Sequence, residues 1–190
     1  MSDSSVPGLV ILDRDGVINY DSDDYIKSLE EWIPIPGSIE AIAALSKAGY
    51  TIAVATNQSG LGRGYFSEYT LANMHNLLLD LVEEAGGNIA TIAFCPHRPD
   101  ESCACRKPAT GLVDQIEIEL ASSAAGAWYV GDAAKDMELA RKKQCRGILV
   151  RTGKGLATEQ QLAEQAKAFL VADDLAAAAA MIFREDGIKA

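Results

Sequence analysis

Leu9-Val10-Ile11-Leu12-Asp13-Arg14-Asp15-Gly16 is the stretch on which the fold of this 190-residue chain turns. A short apolar run that ends in an acid predicts a buried strand over residues 9–13. Gly16 then lets the chain turn away. Two carboxylates two positions apart at a strand end cannot pair across a helix face. An aspartate placed there can attack phosphorus to give an aspartyl-phosphate. A second one can protonate the leaving alcohol and later deprotonate water. Acids this close repel unless a divalent cation neutralises them. Taken alone, the motif also reads as an Asx turn or a helix cap after a strand.

Outward from that strand, elements alternate. Residues 38–48 have helical spacing (Ile39, Ile42, Leu45) and stop at Gly49. Residues 51–55 predict a second strand. Ser67 N-caps a helix to about residue 85, with Leu71, Met74, Leu78 and Leu81 on one face and Gly86-Gly87 as its stop. Strands are predicted over 89–94, 127–130 and 147–150, and helices over 111–122 and 136–143. A helix, a short strand and an Ala-rich helix from about residue 174 close the chain. Uniformly apolar strands at βαβ spacing predict an α/β fold: one parallel sheet covered on both faces, in a single domain over 1–190. The stretch from Gly16 to Gly37 reads as a loop, which leaves no room for a large cap domain. Ligands of such sheets bind beyond the carboxyl ends of the strands.

Three further motifs sit where that rule looks. Thr56-Asn57-Gln58-Ser59-Gly60 follows the second strand and offers a hydroxyl and amides to phosphate oxygens. Arg106-Lys107-Pro108 supplies a lysine for a transferring phosphoryl group and an arginine for a second anion. Gly131-Asp132-Ala133-Ala134-Lys135-Asp136 follows the fourth strand. Its Asp132 faces the same edge as Asp13 and suits Mg²⁺, a hard cation that wants oxygen ligands. Asp136, one turn on, reads as a cap or as support behind the site. Each motif alone has an ordinary reading as polar loop, solvated basic pair or N-cap. Their shared placement at one sheet edge argues against all of those readings together.

Composition limits the partners. The net charge of −10 argues against nucleic acid and anionic membrane, and any anion site must draw on only 17 Lys and Arg. The longest apolar run, nine residues over 175–183, is too short to span a bilayer. Residues 1–8 have neither a basic nor an apolar signal region, so a cytoplasmic protein is expected. Three of the four cysteines fall within residues 95–105, which reads as metal rather than disulfide. Cys95, His97, Cys103 and Cys105 supply a full tetrahedral Zn²⁺ shell with no open position, hence a structural site. The loop 96–108 has almost no apolar side chains, so metal would order what packing cannot, and would fix Arg106 and Lys107. Cys145 reads as core, and His75 as a partly buried helix residue.

The order of the four motifs resembles the haloacid-dehalogenase-like phosphatase superfamily over nearly the whole chain. The resemblance implies a Rossmann-like three-layer fold without a large cap and an Mg²⁺-dependent phosphomonoester hydrolase. It implies Asp13 as nucleophile, Asp15 as general acid/base, and Thr56 and Lys107 as phosphoryl binders. Mg²⁺ would be held by the carboxylates of Asp13 and Asp132 and the backbone carbonyl of Asp15. Asp15 favours phosphatases over dehalogenases, which lack it, and over transport ATPases, which place Thr there.

Cys-Pro-His…Cys-x-Cys-Arg-Lys-Pro looks like two branches of the superfamily, the D-glycero-D-manno-heptose 1,7-bisphosphate phosphatases and the histidinol-phosphate phosphatases. Ser59 and Arg63 side with the heptose branch, whereas Leu61-Gly62 departs mildly toward the histidinol branch. Arg63 with Arg106 could hold a distal phosphate, and would repel cationic histidinol. In the heptose branch the region of Asp21, Ser22, Asp23 and Asp24 contacts the sugar. Ala133 stands where some relatives have Lys. The expectation is therefore removal of the C7 phosphate of a heptose bisphosphate, feeding lipopolysaccharide or related glycans, by a monomer. The rivals are a histidinol-phosphate phosphatase and a non-catalytic sugar-phosphate-binding protein. The anomer at C1 is left open.

Overall fold

The computed structural model describes residues 8–163 and 168–188. Residues 1–7, which carry most of the segment read as lacking a signal, lie outside the described residues. Six strands form one parallel sheet: β1 (Leu9–Leu12), β2 (Thr51–Asn57), β3 (Thr91–Cys95), β4 (Trp128–Gly131), β5 (Arg146–Val150) and β6 (Leu170–Ala172). Their order is β3-β2-β1-β4-β5-β6. The chain starts at the centre, winds out to β3, then returns to the other side of β1 with β4. Connections on the two halves therefore diverge between β1 and β4, and a crevice opens beyond their carboxyl ends.

Among the described residues the α-helices between strands are α1 (Ser38–Lys47), α2 (Ser59–Gly62), α3 (Glu68–Glu84), α4 (Gly111–Leu120), α5 (Ala134–Lys142) and α6 (Gly155–Gln161), and α7 (Leu175–Glu185) follows β6. The strands are apolar throughout because both faces are covered. Val10 and Leu12 join one core with Leu45, Met74, Leu78 and Ile182, from α1, α3 and α7. Leu9 and Ile11 point the other way, into a second core with Leu112, Ile116 and Leu139 from α4 and α5. This is the expected three-layer α/β arrangement. Ser67 caps α3, its hydroxyl accepting from Thr70 N at 3.1 Å, which satisfies one of the orphan donors at the helix start.

Several boundaries differ from the sequence reading. β2 runs on through Asn57, because Thr56 and Asn57 pair with Phe94 and Cys95 of β3. The phosphate-binding motif thus begins on the strand itself. β3 starts at Thr91 rather than residue 89. α5 starts at Ala134 rather than 136, since the Asp136 carboxylate accepts from Ala133 N at 3.1 Å and turns the chain there. The single turn of α2 was not expected.

Residues 17–37 hold no cap domain, but they are more than a surface loop. Ile18, Ile26, Trp32 and Ile35 are buried in the core, and Ser38 Oγ donates to Ile18 O at 2.7 Å. At the opposite end of the sheet, the Asp186 carboxylate accepts from Tyr50 Oη (2.7 Å), Trp128 Nε1 (2.9 Å) and Arg146 Nη1 (2.6 Å). Arg146 also lies 3.6 Å over the Trp128 ring, so one acid ties the end of α7 to β4 and β5. No helix among the described residues is long and apolar enough to cross a membrane.

Candidate active site

The carboxyl ends of β1 and β4 bring Asp13 and Asp132 together, and the first turn of α5 adds Asp136. One carboxylate oxygen from each lies within 4.8 Å of the others, and all three residues are buried. Lys107 is wholly buried between them. Its ammonium lies 2.8 Å from Asp13 Oδ1 and 2.8 Å from Asp136 Oδ1, and donates to Ala55 O at 2.9 Å. Three oxygens thus surround the ammonium. Asn57 clamps the Lys107 backbone from both sides, accepting from its N–H at 3.0 Å and donating to its carbonyl at 3.3 Å.

Three acids against one ammonium leave an excess of negative charge. Burial pushes Asp13 up to about 6; Lys107 opposes this and Asp136 adds to it. Burial and the Asp13 charge push Asp132 up to about 7. Burial works against the Lys107 charge, but Asp13 and Asp136 outweigh it and hold the lysine well above its usual value. A divalent cation beside Asp13 and Asp132 would relieve that excess. The hard oxygen donors fit Mg²⁺. The cradle is cut to size by two glycines. At Gly16 (φ 84°) and Gly153 (φ 57°) a Cβ would stand 2.2 Å from Asp132 Oδ2, so backbone alone can approach that carboxylate. Lys154 N donates to the same oxygen at 2.8 Å.

Asp15 is held differently. Arg14 grips it with Nε and Nη2 on Oδ1 (3.2 and 2.9 Å) and Nη2 on Oδ2 (3.0 Å). Asn19 Nδ2 reaches Oδ1 at 2.9 Å and Gln58 Nε2 reaches Oδ2 at 2.7 Å. Burial raises this carboxyl, but Arg14, Asn19 and Gln58 outweigh it and hold it below the usual range. Asp13, Asp15 and Asp132 line a cavity of about 200 Å³ with Asp21, Ser22, Asp23, Asn57, Gln58, Ser59 and Arg106.

Not every expected residue reaches that cavity. Arg63 is exposed and does not line it, because the α2 turn carries it past the strand end. Asp24 is exposed and stands outside as well. Thr56 is buried beneath the lining, its hydroxyl accepting from Gln58 Nε2 at 2.9 Å. Gln58 and Asn57 reach the cavity, but their amides are engaged by Asp15, Thr56 and the Lys107 backbone. Asp136 joins the expected carboxylates of Asp13 and Asp132. Two cations were missed: Lys135 and Lys154 line the cavity, with Lys154 Nζ 3.4 Å from Asp21 Oδ2. Lys154 follows β5 in Thr152-Gly153-Lys154, so the strand-end rule applied to β5 could have found it. Tyr25, at φ 65°, also lines the cavity and meets Tyr65 edge-on.

Cys95, His97, Cys103 and Cys105 converge beside this cavity as free thiols and an imidazole. Their Sγ atoms lie 3.2, 3.4 and 3.6 Å apart, and His97 Nδ1 is 3.2 Å from Cys105 Sγ and 3.6 Å from Cys95 Sγ. A tetrahedral ion with Zn–S near 2.3 Å would set S···S at about 3.8 Å, so the donor set suits zinc and the sulfurs stand about 0.2–0.6 Å closer together than such an ion would hold them. The loop also holds Arg106: its N–H donates to Cys103 Sγ at 3.3 Å and Nη1 to His97 O at 3.3 Å.

A protein-family profile, HAD-hydrolase-like, matches residues 104–178. A Pseudomonas aeruginosa protein named D-glycero-beta-D-manno-heptose-1,7-bisphosphate 7-phosphatase is 53% identical over 176 residues, covering 93% of this chain and 98% of that one. The crystal structure of the Bordetella bronchiseptica D,D-heptose 1,7-bisphosphate phosphatase, with magnesium and phosphate, superposes with TM-score 0.88. It is 43% identical and covers 94% of this chain and 99% of its own. The histidine biosynthesis bifunctional protein of Legionella pneumophila is 36% identical over 133 residues, 70% of this chain but 38% of that protein.

Proposed function

The chain belongs to the D-glycero-beta-D-manno-heptose-1,7-bisphosphate 7-phosphatase family of HAD-like hydrolases, and on that premise we propose that it hydrolyses the C7 phosphate of the β-anomer of this bisphosphate. The β-anomer, open from sequence alone, follows the names of the curated relatives. The observation that carries the reading is the buried Asp13–Asp132–Asp136 cluster with Lys107, at the one crevice where a doubly wound sheet binds ligands.

Asp13 attacks the C7 phosphorus as the bond to the sugar oxygen breaks, and Asp15 gives that oxygen its proton. The phosphoryl anion arriving beside Asp15 raises its proton affinity, so that it can carry this proton. Asp15 then takes a proton from water as the water oxygen attacks phosphorus, and phosphate leaves Asp13 free. Lys107 offsets charge on the phosphoryl oxygens through Asp13. Mg²⁺ held by Asp13, Asp132 and the Asp15 carbonyl supplies the positive charge that lets an anionic nucleophile approach a phosphate. Arg106, Lys135 and Lys154 are the cations available to the distal phosphate, and Cys95, His97, Cys103 and Cys105 would hold zinc as a structural ion.

Phosphate release with Mg²⁺ from heptose 1,7-bisphosphate and from histidinol phosphate tests the substrate. Faster turnover of histidinol phosphate would sink the heptose reading. Asp13→Asn should abolish turnover while substrate binding persists, and unchanged residual phosphate release would refute Asp13 as nucleophile.

A further inference from the structure

We propose that Arg14 is a positioning residue for the reaction: its buried guanidinium fork, braced by Gln58 and Asn19, aims the Asp15 carboxylate at the leaving oxygen. The inference rests on the reading of Asp15 as general acid/base, and adds the device that holds it.

Arg14 lies between two site residues yet is wholly buried, while the Asp15 side chain keeps 20% of its surface and lines the cavity. The guanidinium thus approaches from the interior side and leaves the cavity side of the carboxylate open to substrate. Three guanidinium contacts fall on both oxygens, so the fork fixes the carboxylate plane as well as its position. Gln58 and Asn19 close on the two oxygens separately. An aspartate has two side-chain torsions, and this set of donors leaves neither free.

Burying a guanidinium is costly, and an apolar residue of similar volume commonly serves stability as well or better. The arginine is therefore better explained by what it orients. Asp15 is the one carboxylate within ion-pair distance of Arg14 among the described residues. The nearby imidazole of His75 does not compete: burial and the Arg14 charge push it down to about 4, so it is neutral near pH 7. A lysine at this position would keep the charge but not the planar fork.

Leaving-group dependence separates positioning from mere support. A sugar alkoxide needs a proton to leave, whereas p-nitrophenolate does not. First-turnover rates would be measured by rapid quench with heptose 1,7-bisphosphate and with p-nitrophenyl phosphate, for Arg14→Met, Arg14→Lys, Gln58→Leu and Asp15→Asn. Arg14→Met should slow release of the sugar product by about 10²-fold, the scale of a misplaced general acid, with little change in KM. Its release of p-nitrophenolate should stay near that of the parent. Arg14→Lys and Gln58→Leu should show smaller losses of the same selectivity, and they carry the test if Arg14→Met does not fold. Equal losses on both substrates in the folded variants, or full sugar-phosphate turnover by Arg14→Lys, would overturn the proposal for Arg14 alone. If Asp15→Asn itself lacks the selectivity, the acid/base reading falls and this inference with it.

Discussion

Lys107→Met removes the only ammonium within ion-pair distance of the buried carboxylate cluster among the described residues. Its Nζ stands 2.8 Å from oxygens of both Asp13 and Asp136, with the side chains of Lys107 and Asp136 fully buried. At an effective dielectric near 20, each attraction at that distance is about 6 kcal/mol before desolvation is counted. Most of that gross figure offsets the cost of burying the charges. Removing one partner of such a set typically costs about 3–5 kcal/mol. The loss is bounded because the stranded carboxyls can take up protons. Sign follows from that: with raised folded-state values, the folded chain binds protons more tightly than the unfolded chain above about pH 4. The variant should therefore lose more stability at pH 8 than at pH 5. Added Mg²⁺ should restore part of the loss, as a second source of positive charge. The turnover number should fall by about 10²–10³-fold, the scale for losing one electrostatic stabiliser of a transition state. Urea unfolding at both pH values, with and without Mg²⁺, reads the first effect, and phosphate release reads the second. A loss under about 1 kcal/mol, equal at pH 5 and pH 8, would refute the account of Lys107 as charge balance for buried acids.

Three other outcomes are expected. The unsubstituted protein freed of metal should lose stability as pH rises from about 4 to about 7, because Asp13 and Asp132 titrate in the fold near 6 and 7; Mg²⁺ should flatten that slope, and a metal-free slope of opposite sign in thermal scans would contradict it. Elemental analysis should find about one zinc per chain, and a strong chelator or Cys103→Ser should destabilise the protein and raise KM for the bisphosphate by loosening Arg106; a zinc-free preparation of equal stability would exclude a structural zinc. Asp186→Asn should cost about 1–3 kcal/mol in urea unfolding, since three donors converge on that carboxylate, and should leave KM alone; an unchanged midpoint would show the knot to be energetically idle.

Much of this was legible along the chain. The alternating apolar strands and capped helices specify a parallel three-layer sheet, because burial on both faces demands apolar residues at every strand position. Strand-end placement pointed to Asp13 and Asp132, and the local spacing of Cys95, His97, Cys103 and Cys105 pointed to the cluster the fold forms. These are properties of short segments, and short segments are what sequence patterns encode. What the chain order did not show was of another kind. Arg63 was expected to hold a distal phosphate, yet the turn of α2 leaves it exposed and outside the cavity lining. Lys135 and Lys154 enter the cavity from two different strand ends; each follows a strand, but the strand-end rule does not say which polar side chain there turns inward. Asp136 read as a cap or as support behind the site, and it is placed to do both: it accepts from Ala133 N and lies 2.8 Å from the Lys107 ammonium. Asp13 and Asp15 looked like one acidic pair. The fold separates them, giving Asp13 to the lysine of a distant loop and Asp15 to its own neighbour Arg14, turned inward. Sequence by itself determined the sheet, the strand-end place of Asp13 and the Cys/His cluster, since each depends on local periodicity or spacing. Only the tertiary structure decided which charge faces which, because electrostatic partners are chosen by distance and burial in space, and the chain order records neither.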